Sequence, residues 1–324
     1  MIVRTILGDI EPSTLGITYV HEHLIIDSPL VADRFPHILL NEVEPAVVEV
    51  GECVSAGVGA MVDALPCAAG RNVARLGEVS SATGVHIVAA TGLHTARYYP
   101  GHQWTRVESA DVLAELFRLD IEEGIDAYDY SGPVVRRTPY RAGIIKVATL
   151  GERPDDVERR SFEAAVLAQR ATGAPILTHC EDGKGGVAQV ELLLKLGAPP
   201  GRIVLSHTDK QPDLGYHREL LASGVNLEYD QALRRPPGEP GGTAWLLAQM
   251  LADGFEDRLM LGTDGARRSL WRSLGGSPGL AWLATGFVEV LESVGIDRQT
   301  RRRLFVDNPA RVLSFEPGAP PSPR

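Results

Sequence analysis

Short apolar runs recur along the chain, separated by segments whose apolar residues repeat with the period of an amphipathic helix. The runs are nearly continuous in Val, Ile, Leu and Ala, which is typical of parallel strands buried on both faces. Eight runs predict strands, at 17–23, 60–65, 86–92, 142–149, 175–179, 202–207, 225–229 and 258–264. Helices are predicted at 44–57, 72–83, 109–124, 155–172, 187–196, 216–222, 243–253, 280–294 and 298–305.

This repeated strand–helix alternation predicts a (β/α)8 TIM barrel, an α/β fold that forms a single domain. The barrel is expected to span residues 1–315. The alternative is a doubly wound open sheet, but the sequence has neither a Gly-x-Gly-x-x-Gly turn after a strand nor a complete Walker motif. Residues 316–324 are rich in Pro and Ser and predict a disordered tail.

Charge and hydropathy narrow the range of partners. The chain carries 32 basic and 42 acidic residues, and this net charge of −10 argues against nucleic acid or an anionic membrane as the partner. No apolar run approaches about 18 residues, so no membrane span is expected, and the first residues have no signal-peptide pattern. The three cysteines lack the spacing of a disulfide framework or a zinc knuckle. We expect a cytoplasmic protein that acts on a small-molecule substrate.

Polar residues interrupt the predicted strands at their carboxyl ends. They are His21 and His23 on the first strand, Lys146 on the fourth, His179 on the fifth, His207 on the sixth and Asp264 on the eighth. The carboxyl ends of barrel strands meet at the face that carries the active site. Each residue alone could be a hydrogen-bonded core histidine or a turn cap. Their recurrence at equivalent strand ends predicts a metal site.

Lys146 sharpens this prediction, because an ammonium buried among β-branched neighbours is costly unless it is paired, neutralised or covalently changed. A carbamate formed with CO2 would remove the buried cation and supply an anionic oxygen ligand to two ions. In this hypothesis one ion is held by His21, His23 and Asp264, and the other by His179 and His207. Nitrogen and oxygen ligands suit zinc, manganese, cobalt or iron(II).

The motifs at these strand ends resemble those of the phosphotriesterase family in the amidohydrolase superfamily. They are His21-Glu22-His23, residues 143–148 around Lys146, Thr178-His179, Ser206-His207 and Gly262-Thr263-Asp264. The resemblance runs from about residue 3 to residue 314. It implies a (β/α)8 barrel, two divalent metal ions (Zn, Mn or Co), a carbamylated Lys146 and a homodimer. It leaves the substrate open, since the family includes phosphotriesterases, lactonases and amidases.

Loops at the predicted cavity mouth carry six candidate substrate-binding residues. They are His94 and Tyr99 after the third strand, Arg234 and Arg235 after the seventh, and Arg268 and Trp271 after the eighth. These loops resemble the family branch that hydrolyses phosphorylated sugar lactones. The resemblance implies that the arginines and Trp271 hold the phosphate, for which a guanidinium fork is well shaped. The alternative is that the arginines form a solvated rim or pair with acidic neighbours.

Together these features predict a metal-dependent hydrolase that opens a lactone ring, with a phosphorylated furanose lactone as the favoured substrate. In the predicted mechanism a hydroxide that bridges the two ions attacks the carbonyl, and Asp264 passes its proton to the leaving alkoxide. A phosphotriesterase, a neutral (acyl-homoserine) lactonase and an amidase are alternatives on the same site. An idle metal-binding scaffold is the non-enzymatic alternative, and the complete set of competent ligand residues argues against it.

Overall fold

A computed structural model describes residues 1–101 and 103–316 of the chain. Its strands are β1 (Val3–Thr5), β2 (Gly8–Ile10), β3 (Ile17–Glu22), β4 (Val58–Asp63), β5 (His86–Gly92), β6 (Ala142–Thr149), β7 (Ile176–Cys180), β8 (Ile203–Ser206), β9 (Asn226–Tyr229) and β10 (Leu259–Leu261). Strands β3 to β10 form one eight-stranded parallel sheet in chain order. The predicted tail, apart from its first residue Glu316, lies outside the described residues.

Hydrogen bonds between the two end strands of this sheet close it into a barrel. The backbone N–H groups of Thr263 and Asp264, just after β10, donate to the carbonyl oxygen of His21 in β3 at 3.2 and 2.9 Å. The buried carboxylate of Glu22 accepts from the backbone N–H groups of Thr263 and Gly265 at 2.8 and 3.3 Å. The predicted single-domain (β/α)8 barrel is confirmed, with all eight predicted strands present.

Helices lie between consecutive barrel strands and after the last strand. They are α1 (Pro29–Arg34), α2 (Val43–Ser55), α3 (Val73–Thr83), α4 (Ala110–Glu122), α5 (Asp156–Thr172), α6 (Gly186–Lys195), α7 (Leu214–Ala222), α8 (Thr243–Ala252), α9 (Gly286–Ser293), α10 (Arg298–Arg302) and α11 (Asn308–Leu313). Helix α5 shows how the sequence sets these limits. Asp155 and Glu158 form a reciprocal capping box at its start, and Gly173 (φ 79°) ends it in a left-handed conformation.

Alternation along the strands separates two apolar layers. The barrel interior is filled by Val20, Val62, Val88, Ile144, Leu177, Val204 and Met260, while the other layer packs against the helices. Lys146 and His179 each come two residues after an interior side chain, Ile144 and Leu177 respectively. Residues two apart in a strand share a face, so the side chains of Lys146 and His179 continue the interior rows at the carboxyl end of the barrel.

Several segments differ from the predicted elements, among them helix α1, which was not predicted. The antiparallel hairpin of β1 and β2, which precedes the barrel, was not predicted. The helix predicted at 280–294 is instead a 3-10 helix (Leu280–Ala284) followed by α9, because Thr285 between them is non-helical (φ −121°, ψ −92°). The helix predicted at 298–305 narrows to α10, which continues through a π-helical turn (Arg303–Asp307) into α11.

Candidate metal centre

The four predicted histidines converge at the carboxyl end of the barrel. Nδ1 of His179 lies 2.8 Å from Nε2 of His207, and the ring centroid of His21 lies 4.8 Å from that of His207 and 5.4 Å from that of His23. Burial lowers the pKa of all four rings, to about 4 for His23. The imidazoles are therefore neutral near pH 7, which is the form that binds metals.

Left-handed backbone brings two of the predicted ligands into this cluster. His207 has φ 66° and Asp264 has φ 45°. Because Val204 faces the interior, regular alternation along β8 would turn His207 outward, and the left-handed turn returns its ring to the cavity. Such a conformation costs a non-glycine residue about 1–2 kcal/mol and persists only where surrounding contacts enforce it.

Lys146 is fully buried beside the histidines. Its Nζ lies 3.3 Å from Nε2 of His21. Burial lowers the pKa of Lys146 to about 8, although the nearby carboxylates of Glu228, Asp264 and Asp230 oppose this shift. The unprotonated amine, which is the form that reacts with CO2, is therefore a minor species near neutral pH but far more abundant than for a lysine with its ordinary pKa.

Asp264 lies between a histidine and an arginine. Its Oδ1 is 3.6 Å from Nε2 of His23, and its Oδ2 is 3.1 Å from Nη2 of Arg234. Burial alone would raise the pKa of Asp264, but the positive charge of Arg234 holds that pKa below its usual value. Asp264 is therefore an ionised carboxylate at neutral pH, able to bind a cation or accept a proton.

Three carboxylates that the sequence reasoning missed lie next to the histidines. Glu181 Oε2 is 2.7 Å from Nε2 of His179, Asp230 Oδ2 is 2.7 Å from Nδ1 of His207, and Glu228 Oε2 is 3.4 Å from Nδ1 of His21. The sequence held a signal for two of them. Glu228 in β9 and Asp230 just after that strand alternate with apolar residues, as expected of side chains that face the barrel interior.

The residues present fit a divalent metal. Two groups of side chains could each hold an ion: His21 with His23 and Asp264, and His21 with His207 and Asp230. Within each group the ligand atoms lie within 4.8 Å of one another. Nδ1 of His23 and both carboxylate oxygens of Glu228 are buried with no hydrogen-bond partner among the described residues. Leaving such atoms unsatisfied is costly, and burial raises the pKa of Glu228 well above its usual value. A bound cation would offset both penalties.

A cavity of about 350 Å³ opens at this cluster, and its lining combines apolar and cationic side chains. The apolar ones are Ile26, Val31, Phe35, Ile38, Leu65, Ala69 and Ala266, and the cationic ones are Arg97, Lys210, Arg234 and Arg267. Arg97 and Arg234 are engaged in ion pairs with Glu181 and Asp264. Neither Arg267 nor the Lys210 ammonium forms an ion pair or a side-chain hydrogen bond with any residue that the structure describes.

The structure brings two of the six predicted substrate-binding residues to the cavity, His94 and Arg234. The other four are not among its lining residues. The buried Tyr99 hydroxyl donates to the carbonyl oxygen of Cys67. Arg235 and Arg268 donate to backbone carbonyl oxygens, those of Lys210 and Leu39.

Trp271 is the fourth of these residues and is only 1% exposed. Its indole N–H donates to the carbonyl oxygen of Gly265 at 2.7 Å, so the ring packs beneath its own loop. Arg267, next to the predicted Arg268, lines the cavity instead. The sequence indicated a loop that reaches the cavity but not which of its two adjacent arginines lines it.

Comparisons with known proteins show which family this architecture belongs to. The model of the phosphotriesterase family matches residues 1–313. The chain belongs to the phosphotriesterase family. It is 32% identical over 324 residues to a phospho-furanose lactonase from Mycoplasmopsis synoviae (strain 53), covering 97% of this chain and 92% of that protein. It is also 30% identical to an aryldialkylphosphatase from Saccharolobus solfataricus, covering 94% and 97% of the two chains.

Solved structures agree with this assignment. An amidohydrolase from Mycoplasma synoviae superposes with a TM-score of 0.90 at 30% identity, covering 98% of this chain and 93% of that one. A lactonase from Listeria monocytogenes superposes with a TM-score of 0.88 at 26% identity, covering 98% and 100%.

The family predicted from the strand-end motifs is thus confirmed, and the chain is a hydrolase. The family is one of metal-dependent hydrolases, and the His and Asp groups described above suit that chemistry. Within the described part of the chain, every helix is too short or too polar to span a membrane.

Proposed function

We propose that the protein is a metal-dependent lactonase for small lactones that carry an anionic group, with phosphorylated furanose lactones as the favoured class. One observation carries this proposal: the cavity that holds the histidines and Asp264 also exposes two unpaired cations, Lys210 and Arg267. Free cations on a cavity wall match an anionic substrate, because charge-assisted hydrogen bonds are about twice as strong as neutral ones. The relatives named phospho-furanose lactonase in two Mycoplasmopsis species support the same substrate class.

The proposed centre holds two divalent ions, Zn, Mn or Co. His21, His23 and Asp264 would hold one ion and His179 and His207 the other, with Lys146 as a carbamate formed with CO2 between them. Such ions, when bound, polarise a substrate carbonyl and lower the pKa of water. The buried position of Lys146 supports the carbamate, because its lowered pKa leaves amine free to react.

Asp264 is the proposed proton-transfer residue. It accepts a proton from the attacking water and delivers it to the alkoxide that is released when the ring opens. The guanidinium of Arg234, 3.1 Å from Oδ2, keeps the carboxylate ionised and limits its rotation. This arrangement leaves Oδ1, on the His23 side, as the oxygen that is free of the arginine.

Arg267 and Lys210 are the proposed phosphate-binding residues. This revises the assignment from sequence, because Arg234 is paired with Asp264, while Arg235 and Arg268 donate to backbone carbonyl oxygens. A guanidinium fork can donate two parallel hydrogen bonds to phosphate, and the lysine adds a point charge. These two side chains would orient the end of the substrate that is remote from the lactone carbonyl.

The apolar part of the lining supports a second candidate, a neutral lactone with an acyl chain. Val31, Phe35 and Ile38 lie close together in sequence and line the same cavity. They could bury an acyl chain, at roughly 25 cal/mol per Å² of apolar area removed from water. Such a substrate would leave Arg267 and Lys210 without a partner, so we rank it second.

A hydrolysis screen with a pH indicator tests the choice. Metal-loaded protein is given each furanose lactone paired with its 5-phosphate, together with acyl-homoserine lactones and a phosphotriester. We expect a clear preference for the phosphorylated member of each pair. A preference for acyl-homoserine lactones would instead establish the second candidate, and hydrolysis of the phosphotriester alone would reject both.

The family resemblance also leads us to propose a cytoplasmic homodimer. Light scattering coupled to size-exclusion chromatography measures the mass of the assembly directly. A mass near that of one 34.9 kDa chain would reject the dimer.

A further inference from the structure

Glu181 lines the cavity, whereas Glu228 and Asp230, the other two carboxylates next to the histidines, do not. It follows His179 by two residues, and Cys180 between them is extended (φ −102°, ψ 100°). Side chains two apart in an extended segment lie on the same face, so Glu181 lies beside the His179 ring. Its Oε2 is 2.7 Å from Nε2 of His179, a hydrogen-bonding distance.

That contact decides which ring nitrogen of His179 is left for a metal. With the proton on Nε2 and donated to Glu181, the lone pair is on Nδ1. Nδ1 faces Nε2 of His207 at 2.8 Å, so both nitrogens are directed at the same space. A carboxylate that accepts from the distal N–H of a metal-binding histidine fixes the tautomer and the ring orientation and raises the basicity of the ligand.

Arg97, in the loop after β5, holds the same carboxylate through its other oxygen. Its Nη1 is 3.1 Å from Oε1 of Glu181, while Oε2 serves His179. The turn that follows is also fixed, because Asp182 is left-handed (φ 52°) and its carbonyl oxygen accepts from Nε2 of Gln211 at 2.8 Å. Glu181 is therefore restrained through both its side chain and its backbone.

We propose that Glu181 is a positioning residue for the metal ligand His179, and that Arg97 keeps Glu181 in place. This inference rests on the proposed metal-dependent function. It adds a cavity-lining carboxylate that orients one of the proposed metal ligands. Loss of such a carboxylate typically lowers metal affinity about 10–100-fold. Only the ion held by His179 and His207 should be affected, because Glu181 makes its described contacts with His179 and Arg97.

The experiment titrates the metal-free full chain with Zn2+ in bicarbonate buffer against a chromophoric chelator, and repeats the titration with Co2+ to record its visible absorption bands. The variants are Glu181→Ala, Glu181→Gln and Arg97→Met. The matched control is Glu292→Ala, which removes a carboxylate from an ion pair of the same 2.7 Å length with Arg301. Thermal unfolding of each variant checks its folding.

We expect Glu181→Ala to weaken one of two metal equivalents by 10–100-fold, to leave the other unchanged, and to shift the Co2+ bands. Glu181→Gln should lose less, because its amide oxygen still accepts from Nε2, and Arg97→Met should lose less than Glu181→Ala. The inference would be overturned if Glu181→Ala bound both metal equivalents with wild-type affinity. If the alanine variant is unfolded, wild-type affinity in both Glu181→Gln and Arg97→Met would overturn it. Wild-type protein that binds no metal would instead reject the proposed function itself.

Discussion

Replacing Arg267 by alanine removes one of the two unpaired cations from the cavity lining. A hydrogen bond to a charged group contributes about 1.5–3 kcal/mol, and the exposure of Arg267 to solvent places it at the low end of that range. Losing about 1.4 kcal/mol of binding free energy lowers the affinity tenfold. We therefore expect kcat/KM for a phosphorylated lactone to fall about tenfold, mainly through KM, because the phosphate contact is the same before and during ring opening.

The assay compares a furanose lactone with its 5-phosphate, using the wild-type protein, Arg267→Ala and Arg268→Ala. The unphosphorylated lactone should be hydrolysed equally by wild type and Arg267→Ala, since it lacks the contact. Arg268 donates to the carbonyl oxygen of Leu39, so Arg268→Ala should affect both substrates alike. An equal loss on both substrates in Arg267→Ala, or a selective loss in Arg268→Ala, would refute the phosphate assignment.

Three further predictions concern the metal centre and the hairpin. Asp264→Asn should lower kcat by about 10²–10⁴-fold, the usual contribution of a proton-transfer group, and near-wild-type turnover would exclude that role. Lys146→Ala should lower the metal content of the protein, measured by mass spectrometry of the metals, and added short carboxylates should restore part of it. Full metal occupancy of this variant without any additive would reject Lys146 as the bridging ligand. Asp9→Asn removes ion pairs with Arg4 and Arg141 and should cost about 1 kcal/mol of unfolding free energy at pH 7. These ion pairs hold the pKa of Asp9 below 3.8 despite partial burial. Their contribution to the free energy of unfolding is therefore present above pH 3.8 and is lost as the pH falls through the lowered pKa. Urea unfolding at pH 7 and pH 3 should therefore give a smaller difference at pH 3.

The sequence determined the barrel and the positions of the predicted ligands along it. Eight apolar runs set the strands, and a polar residue at the end of a buried strand is at the carboxyl face wherever that strand lies in the barrel. For Lys146 and His179 even the direction of the side chain followed from alternation. These features depend on spacings of two to four residues, which is why they can be read without knowing the fold.

Tertiary structure decided which side chains reach the cavity and which atoms they contact there. Arg267 and Arg268 are adjacent in sequence, yet only Arg267 lines the cavity, because Arg268 is bound to a carbonyl oxygen more than two hundred residues away. Trp271 is buried for a similar reason, its indole N–H being satisfied within the loop. The contact of Glu181 with Arg97 likewise joins loops from two strands. Such contacts depend on loop conformation and on partners distant in sequence, so no local pattern could specify them.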